Sequence, residues 1–155
     1  MQTRRDALVH SAKVAAMLVS AGILPSLASA QAGAYPSAAF EARTMAQLVK
    51  ALGGNAPVQS KDVHITGPDI AENGALVPIA ASSSLADTRR LLVLVEKNPS
   101  VLSAMFEISD AVEANMAIRV KMEESSHVYA VAMMADGRML FARKEIKVTL
   151  GGCGA

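Results

Sequence analysis

Residues 128–143 read Val-Tyr-Ala-Val-Ala-Met-Met-Ala-Asp-Gly-Arg-Met-Leu-Phe-Ala-Arg, and this stretch decides the fold class. Two apolar segments, 128–134 and 139–143, flank the pair Asp136-Gly137. An Asp-Gly pair between two such segments indicates a hairpin, because both residues tolerate the backbone conformations of a tight turn. The stretch therefore predicts two antiparallel strands.

Further short strands are predicted on both sides of this hairpin. Ile146, Val148 and Leu150 alternate with polar residues after it. Before it, alternating or short apolar runs occupy residues 61–65, 75–79, 90–95, 104–109 and 116–122. The run at 90–95 (RLLVLV) predicts a strand buried on both faces. About seven short strands separated by turn residues predict an all-β, immunoglobulin-like antiparallel β-sandwich.

A single helix is predicted ahead of the strands, at residues 37–52. Phe40, Thr44, Leu48 and Leu52 recur at a spacing of four, which places them on one helix face. The pair Gly53-Gly54 is expected to end the helix.

The first 30 residues resemble an export signal. Arg4-Arg5 precede an uncharged, mostly apolar run at 14–24, and Ala28-Ser29-Ala30 fits a small-x-small cleavage site. The paired arginines favour the twin-arginine route to the periplasm, with the general secretory route as the alternative. The mature chain is then expected to begin at Gln31, with the domain at 31–150.

Composition excludes several classes of function. The chain has a formal net charge of +1, contains no Trp and has only 3% aromatic residues. This balance gives no basis for binding nucleic acid or a membrane surface. Nothing in the spacing of Ser, His and Asp, of carboxylate pairs, or of glycines indicates a catalytic site. We therefore expect a protein that does not itself catalyse a reaction.

The tail Gly151-Gly152-Cys153-Gly154-Ala155 carries the one cysteine of the chain. A single cysteine cannot form an internal disulfide, so it pairs between chains or reacts. Because glycine resists regular structure, residues 151–155 are expected to form a flexible arm that carries the thiol into the active sites of other proteins.

Four basic residues cluster in the sequence shortly before this cysteine: Arg138, Arg143, Lys144 and Lys147. One interpretation is a solvated sheet face. The other is that Lys144 and Lys147 favour a thiolate or an anionic adduct on Cys153.

No metal site is expected. His64 and His127 lack the spacing of metal ligands and are interpreted as ordinary strand residues. The seven methionines of the mature part are interpreted as core or interface residues. Thioether and thiolate ligands suit Cu(I), so a copper chaperone stays open as an alternative.

Several segments resemble the SoxY family, the sulfur-carrier subunits of the bacterial thiosulfate-oxidising Sox system. The most specific is the terminal motif Lys147-Val-Thr-Leu-Gly-Gly-Cys-Gly154. The supporting segments are 68–78 (PDIAENGALVP), 97–99 (KNP), 119–122 (RVKM) and 135–137 (ADG). The family tail usually ends in Gly-Gly-Cys-Gly-Gly, whereas this chain has Ala155 at the last position, which puts docking into a narrow partner channel in question.

The resemblance implies a covalent carrier with no cofactor, in which Cys153 holds sulfur intermediates. It implies a heterodimer with a SoxZ-like subunit. It also implies a thiosulfate-coupling c-type cytochrome (SoxXA-like), a manganese-dependent thiosulfohydrolase (SoxB-like) and, in many systems, a sulfane dehydrogenase (SoxCD-like). A structural module that dimerises through a Cys153 disulfide is the alternative from another class.

Overall fold

A computed structural model describes residues 36–150 of the chain. The predicted signal segment at 1–30, the segment 31–35 and the tail at 151–155 lie outside the described residues.

Nine strands follow two short helices along the described chain. The helices are α1 (Ser37–Phe40) and α2 (Met45–Leu52). The strands are β1 (Val58–Gln59), β2 (Val63–Thr66), β3 (Ile70–Asn73), β4 (Val77–Ser83), β5 (Thr88–Val95), β6 (Leu102–Glu107), β7 (Asn115–Val120), β8 (Ser126–Met134) and β9 (Met139–Leu150).

The strands form two sheets, as the sequence predicted. The larger sheet has the order β1-β9-β8-β5-β6, with β3 also paired to β9, and the smaller has the order β2-β4-β7. All pairs are antiparallel except β1–β9 and β3–β9, which are parallel. The predicted immunoglobulin-like sandwich is therefore confirmed. Its strand count is higher than predicted, because β1 and β3 are short strands that exist only through pairing with β9.

The predicted hairpin joins β8 to β9. Met133 is the register partner of Met139, and Gly137 takes a positive φ of 84° in the turn. The Gly137 N–H donates to the Met134 carbonyl at 3.1 Å, and the Met134 N–H donates to the Arg138 carbonyl at 2.9 Å. The two segments predicted at 139–143 and 146–150 are one continuous strand of 12 residues.

The larger sheet is covered on both faces, which explains the continuous apolar run of β5. Leu91 and Val93 pack into the core between the two sheets. Leu92 and Leu94 point the other way and pack with Leu48 of α2. Because each fully buried side chain of this size contributes about 1.5–3 kcal/mol, β5 is a main source of stability for both layers.

The prediction of a single helix at residues 37–52 is wrong, because the chain leaves the helical conformation between Phe40 and Met45. Thr44 is extended (φ −138°, ψ 155°), and its side chain accepts a hydrogen bond from the Gln47 N–H at 3.2 Å. Thr44 is therefore the N-cap of α2 and not a member of the apolar stripe. The Ser100 hydroxyl donates to the Phe40 carbonyl at 2.5 Å, which ties the break to the β5–β6 connection.

Gly53 ends α2 in the left-handed conformation (φ 66°), as the glycine pair predicted. Neither helix in the range 36–150 has the length and apolar character needed to cross a lipid bilayer.

Candidate functional site

The end of β9 is the part of the described structure closest in sequence to Cys153. β9 pairs with β8 only as far as Ile146, which lies opposite Ser126. The last four residues of the strand, 147–150, pair instead with β3. The strand thus leaves its place beside β8 before its final residue.

Backbone hydrogen bonds hold this final segment to the residues on either side of β3. The Lys147 N–H donates to the Asp69 carbonyl at 3.0 Å. The Gly74 N–H donates to the Leu150 carbonyl at 2.8 Å. The backbone is therefore ordered up to the residue that immediately precedes the glycines.

Side chains add further bonds to the same segment. The Ser125 hydroxyl accepts a hydrogen bond from the Val148 N–H at 2.8 Å. Val148 lies beyond Ile146, the last residue of β9 that pairs with β8. The Thr149 hydroxyl donates to the Glu72 carbonyl at 2.9 Å. Cys153 follows Leu150 by three residues, and three residues of extended chain span at most about 10–11 Å.

Cys153 and the glycines Gly151, Gly152 and Gly154, which were predicted to form a flexible arm, lie outside the described residues. Their role as a flexible arm therefore stays a prediction from the sequence. The structure describes the chain up to Leu150, the residue before the arm.

The two lysines proposed as an anion-favouring pair do not share one face of the strand. Lys144 and Lys147 are three residues apart in β9, so their side chains point to opposite faces. The Lys144 ammonium donates to the Asp69 carboxylate at 2.5 Å, and this hydrogen bond, with the lysine charge, lowers the pKa of Asp69. Lys147 is exposed beside Ile70 of β3. The effect of either lysine on Cys153 stays a prediction.

The two arginines lie further from the end of β9. Arg138 is in the hairpin turn at the opposite end of the strand, where its Nε atom donates to Asp136 Oδ2 at 2.6 Å. The backbone and side chain of Arg138 lower the pKa of Asp136. Arg143 is the register partner of Tyr129 and hydrogen-bonds its side chain. Burial and the charge of Glu96 nevertheless raise the pKa of Tyr129. The structure therefore does not bring the four basic residues together.

His64 and His127 lie on different sheets. His64 is exposed in β2, and His127 in β8 has its Nδ1 atom 3.3 Å from Glu96 Oε2. Within residues 36–150, no group of three or more His, Asp or Glu side chains is placed to hold a metal ion.

The seven methionines within residues 36–150 pack in or against the cores, as interpreted from the sequence. Met122 and Met139 are fully buried in different clusters, and Met134 is also buried. The other four pack against the same clusters: Met45, Met105, Met116 and Met133. Their side chains thus take part in packing around both cores.

Three exposed apolar side chains near the end of β9 did not stand out in the sequence. They are Ile70, Leu76 and Leu150, with 59%, 69% and 69% of their surface exposed. The alternation of Ile146, Val148 and Leu150 predicted one buried face, but the sandwich ends before Leu150. No local signal marks that boundary.

Comparison with known proteins gives a family. A family model described as sulfur oxidation protein SoxY matches residues 48–153, so the match extends through the cysteine. The chain belongs to the SoxY family.

A solved SoxY structure agrees with this assignment. The sulfur carrier protein SoxY from Chlorobium limicola f thiosulfatophilum is 25% identical, with a TM-score of 0.60 over 66% of this chain and 93% of that one. A variant of the superoxide reductase (neelaredoxin) from Ignicoccus hospitalis is 19% identical, with a TM-score of 0.50 over 64% of this chain and 86% of that one, and shows the shared fold alone. No curated protein sequence matches the chain. SoxY family membership supports a general role as a sulfur carrier in sulfur oxidation.

Proposed function

We propose that this protein is a periplasmic SoxY-type carrier that holds thiosulfate-derived sulfur covalently on Cys153. The observation that carries the proposal is the place of Cys153 in the sequence, directly after the anchored end of β9. β9 is anchored by β3 and Ser125 up to Leu150, and Cys153 follows three residues later among glycines. The SoxY family match, which includes this cysteine, supports the same role.

The proposed loading step is an oxidative coupling. The Cys153 thiolate and the terminal sulfur of thiosulfate form an S–S bond, and two electrons leave to a haem cytochrome of the SoxXA type. The thiol proton goes to solvent. An unperturbed thiol has a pKa of about 8.5, so a minor thiolate fraction is present near neutral pH. The product is a cysteine S-thiosulfonate.

The proposed unloading step is a hydrolysis. Water attacks the sulfonate sulfur in the active site of a manganese-dependent hydrolase of the SoxB type, and sulfate leaves while one sulfane sulfur stays on Cys153 as a persulfide. A SoxCD-like dehydrogenase is proposed to oxidise that remaining sulfur. The carrier itself supplies the thiol and the arm, and the partner enzymes supply the catalysis.

The same proposal includes a heterodimer with a SoxZ-like subunit and export by the twin-arginine route. The similarity to the sulfur carrier from Chlorobium limicola supports the carrier role. The flexible arm is proposed to consist of Gly151, Gly152 and Gly154 around the thiol, because residues without side chains let the thiol pass through a narrow channel.

The test is loading in the presence of thiosulfate and the purified coupling cytochrome. Intact-mass measurement is expected to show one thiosulfonate group added per chain, and peptide mapping is expected to place it on Cys153. Cys153→Ser is expected to abolish the adduct with an unchanged melting temperature. A second variant, Cys153→Ser with Ala155→Cys, keeps one thiol in the tail but moves it by two residues.

Enzyme-catalysed loading of the moved thiol is expected to fall, while its reaction with a small disulfide reagent stays the same. A free thiol on the wild-type chain after complete incubation would refute the proposal. A stable disulfide-linked homodimer as the form isolated from cells would favour the structural alternative.

A further inference from the structure

Asn98, in the connection between β5 and β6, uses both polar atoms of its side-chain amide. Its Nδ2 atom donates to the Lys121 carbonyl at 2.7 Å, and its Oδ1 atom accepts from the Glu123 N–H at 3.3 Å. β5 and β6 belong to the larger sheet, whereas Lys121 and Glu123 follow β7 of the smaller sheet. Because an asparagine amide supplies a donor and an acceptor side by side, this one half-buried side chain ties the two sheets together.

Further hydrogen bonds continue from this tie to the end of β9. Met122 lies between the two residues that Asn98 holds, and its N–H donates to the Gly74 carbonyl at 2.7 Å. The Gly74 N–H in turn donates to the Leu150 carbonyl at 2.8 Å. We call this series of contacts, from Asn98 through Met122 and Gly74 to Leu150, the asparagine bridge.

The asparagine bridge joins segments that the sequence alone does not connect. Asn98 lies in the segment 97–99, Met122 in 119–122 and Gly74 in 68–78. All three segments meet at Leu150, which precedes Cys153 by three residues. The position of the strand end relative to both sheets therefore depends on a contact that Asn98 makes with a distant part of the chain.

We propose that Asn98 is a positioning residue for the reactions of Cys153, and that it acts through Met122 and Gly74 to fix the point from which the tail leaves the domain. This inference rests on the proposed carrier function. Three residues span at most about 10–11 Å, so a displacement of Leu150 displaces the whole region that the thiol can reach.

The chemistry at the thiol is sensitive to such a displacement. Reacting atoms must approach to about 3–3.5 Å in an aligned geometry, and a misplacement of about 1 Å can slow a reaction about 100-fold. Loss of the asparagine bridge is therefore expected to slow the reaction inside the enzyme, while the surfaces by which the carrier binds stay unchanged.

The test compares Asn98→Ala and Asn98→Asp with the wild-type carrier in its heterodimer. Alanine removes both hydrogen bonds, whereas aspartate keeps the acceptor for the Glu123 N–H and loses only the donor to Lys121. Asn55→Asp is the matched control, since Asn55 is exposed and its N–H bonds the Gly137 carbonyl in the hairpin turn at the opposite end of β9. The control introduces the same charge away from the asparagine bridge.

Each carrier is given at increasing concentration to the coupling cytochrome with thiosulfate and an excess of a one-electron acceptor. The rate of adduct formation gives kcat and KM for the carrier. Both Asn98 variants are expected to lower kcat about three- to tenfold and to leave KM within about twofold of the wild-type value. The control variant is expected to change neither.

Two further measurements separate positioning from other causes. Amide exchange at Gly74 is expected to be about fivefold faster in Asn98→Ala, because the loss of two hydrogen bonds eases local opening. Chemical loading uses tetrathionate, in which the Cys153 thiolate attacks an inner sulfur and displaces thiosulfate. This loading is expected to proceed at the wild-type rate in every variant, because it needs no positioned partner.

A wild-type kcat in both Asn98 variants would overturn the inference, and so would wild-type exchange at Gly74. A raised KM with unchanged kcat, or loss of the heterodimer, would also overturn it, because Asn98 would then act in binding. By contrast, no loading of the wild-type carrier by the cytochrome at any concentration would overturn the proposed function itself. Melting temperatures well above the assay temperature exclude unfolding as the cause of a lowered kcat.

Discussion

Ser125→Ala tests how the base of the cysteine-bearing tail is held. The Ser125 hydroxyl accepts a hydrogen bond from the Val148 N–H at 2.8 Å. This bond lies just beyond Ile146, the last residue of β9 that pairs with β8. Val148 is half-buried, so water replaces the lost acceptor only in part. Losing one hydrogen bond of this kind costs about 1–2 kcal/mol, because the net value of the bond is about 1 kcal/mol and the N–H is left poorly solvated.

The measurement is amide hydrogen exchange, which reports local opening. A loss of about 1–2 kcal/mol is expected to speed exchange about five- to thirtyfold at Gly74, whose N–H bonds the Leu150 carbonyl. The melting temperature is expected to fall by about 4–8 °C. Ser84→Ala is the matched control, since its hydroxyl donates to the Asp62 carbonyl at 3.3 Å, away from β9. Unchanged exchange at Gly74 in Ser125→Ala would show that β3 alone holds the strand end and would refute the reasoning.

Three further predictions concern other parts of the chain. The hydrogen bond and charge of Lys144 lower the pKa of Asp69 below its ordinary 3.8. The pair therefore stabilises the fold above pH 3.8 and loses this effect as the pH falls through the lowered pKa. In acid denaturation series, the small difference in stability between wild type and Asp69→Asn should vanish at low pH. Gly54→Ala is expected to destabilise the domain by about 1–3 kcal/mol in urea unfolding, because the added Cβ would lie 2.4 Å from the buried Met139 sulfur; a wild-type midpoint would contradict this close approach. Ala155→Gly restores the usual family tail, and we expect a lower KM for the loaded carrier with the hydrolase and an unchanged melting temperature; a higher KM would show that the methyl group favours docking.

Much of the sandwich could be predicted because its signals are local. The β8–β9 hairpin depends on an Asp-Gly turn between two apolar runs, and β5 depends on a continuous apolar run. By contrast, β3 has no such signal, since its residues become a strand only when β9 lies alongside them. The end of α1 at Phe40 coincides with a hydrogen bond from the distant Ser100 hydroxyl to the Phe40 carbonyl, which periodicity does not reveal.

The candidate site divides in the same way. Cys153 and its glycines could be identified from the sequence alone, because their chemistry does not depend on neighbours. The separation of Lys144 from Lys147 depends on β9 being one continuous strand, and the exposure of Leu76 depends on where the sandwich ends. That point is set by tertiary pairing, and periodicity does not reveal it.

The pairing of β9 on both sides also has a mechanical consequence. A partner that withdraws from the cysteine pulls on Leu150 along the strand axis. The hydrogen bonds to β8 and β3 run across that axis, so the force loads them together in shear and does not peel them apart one at a time. The domain is therefore expected to resist a pulling force on Leu150 better than a carrier whose last strand separates from a sheet edge one hydrogen bond at a time.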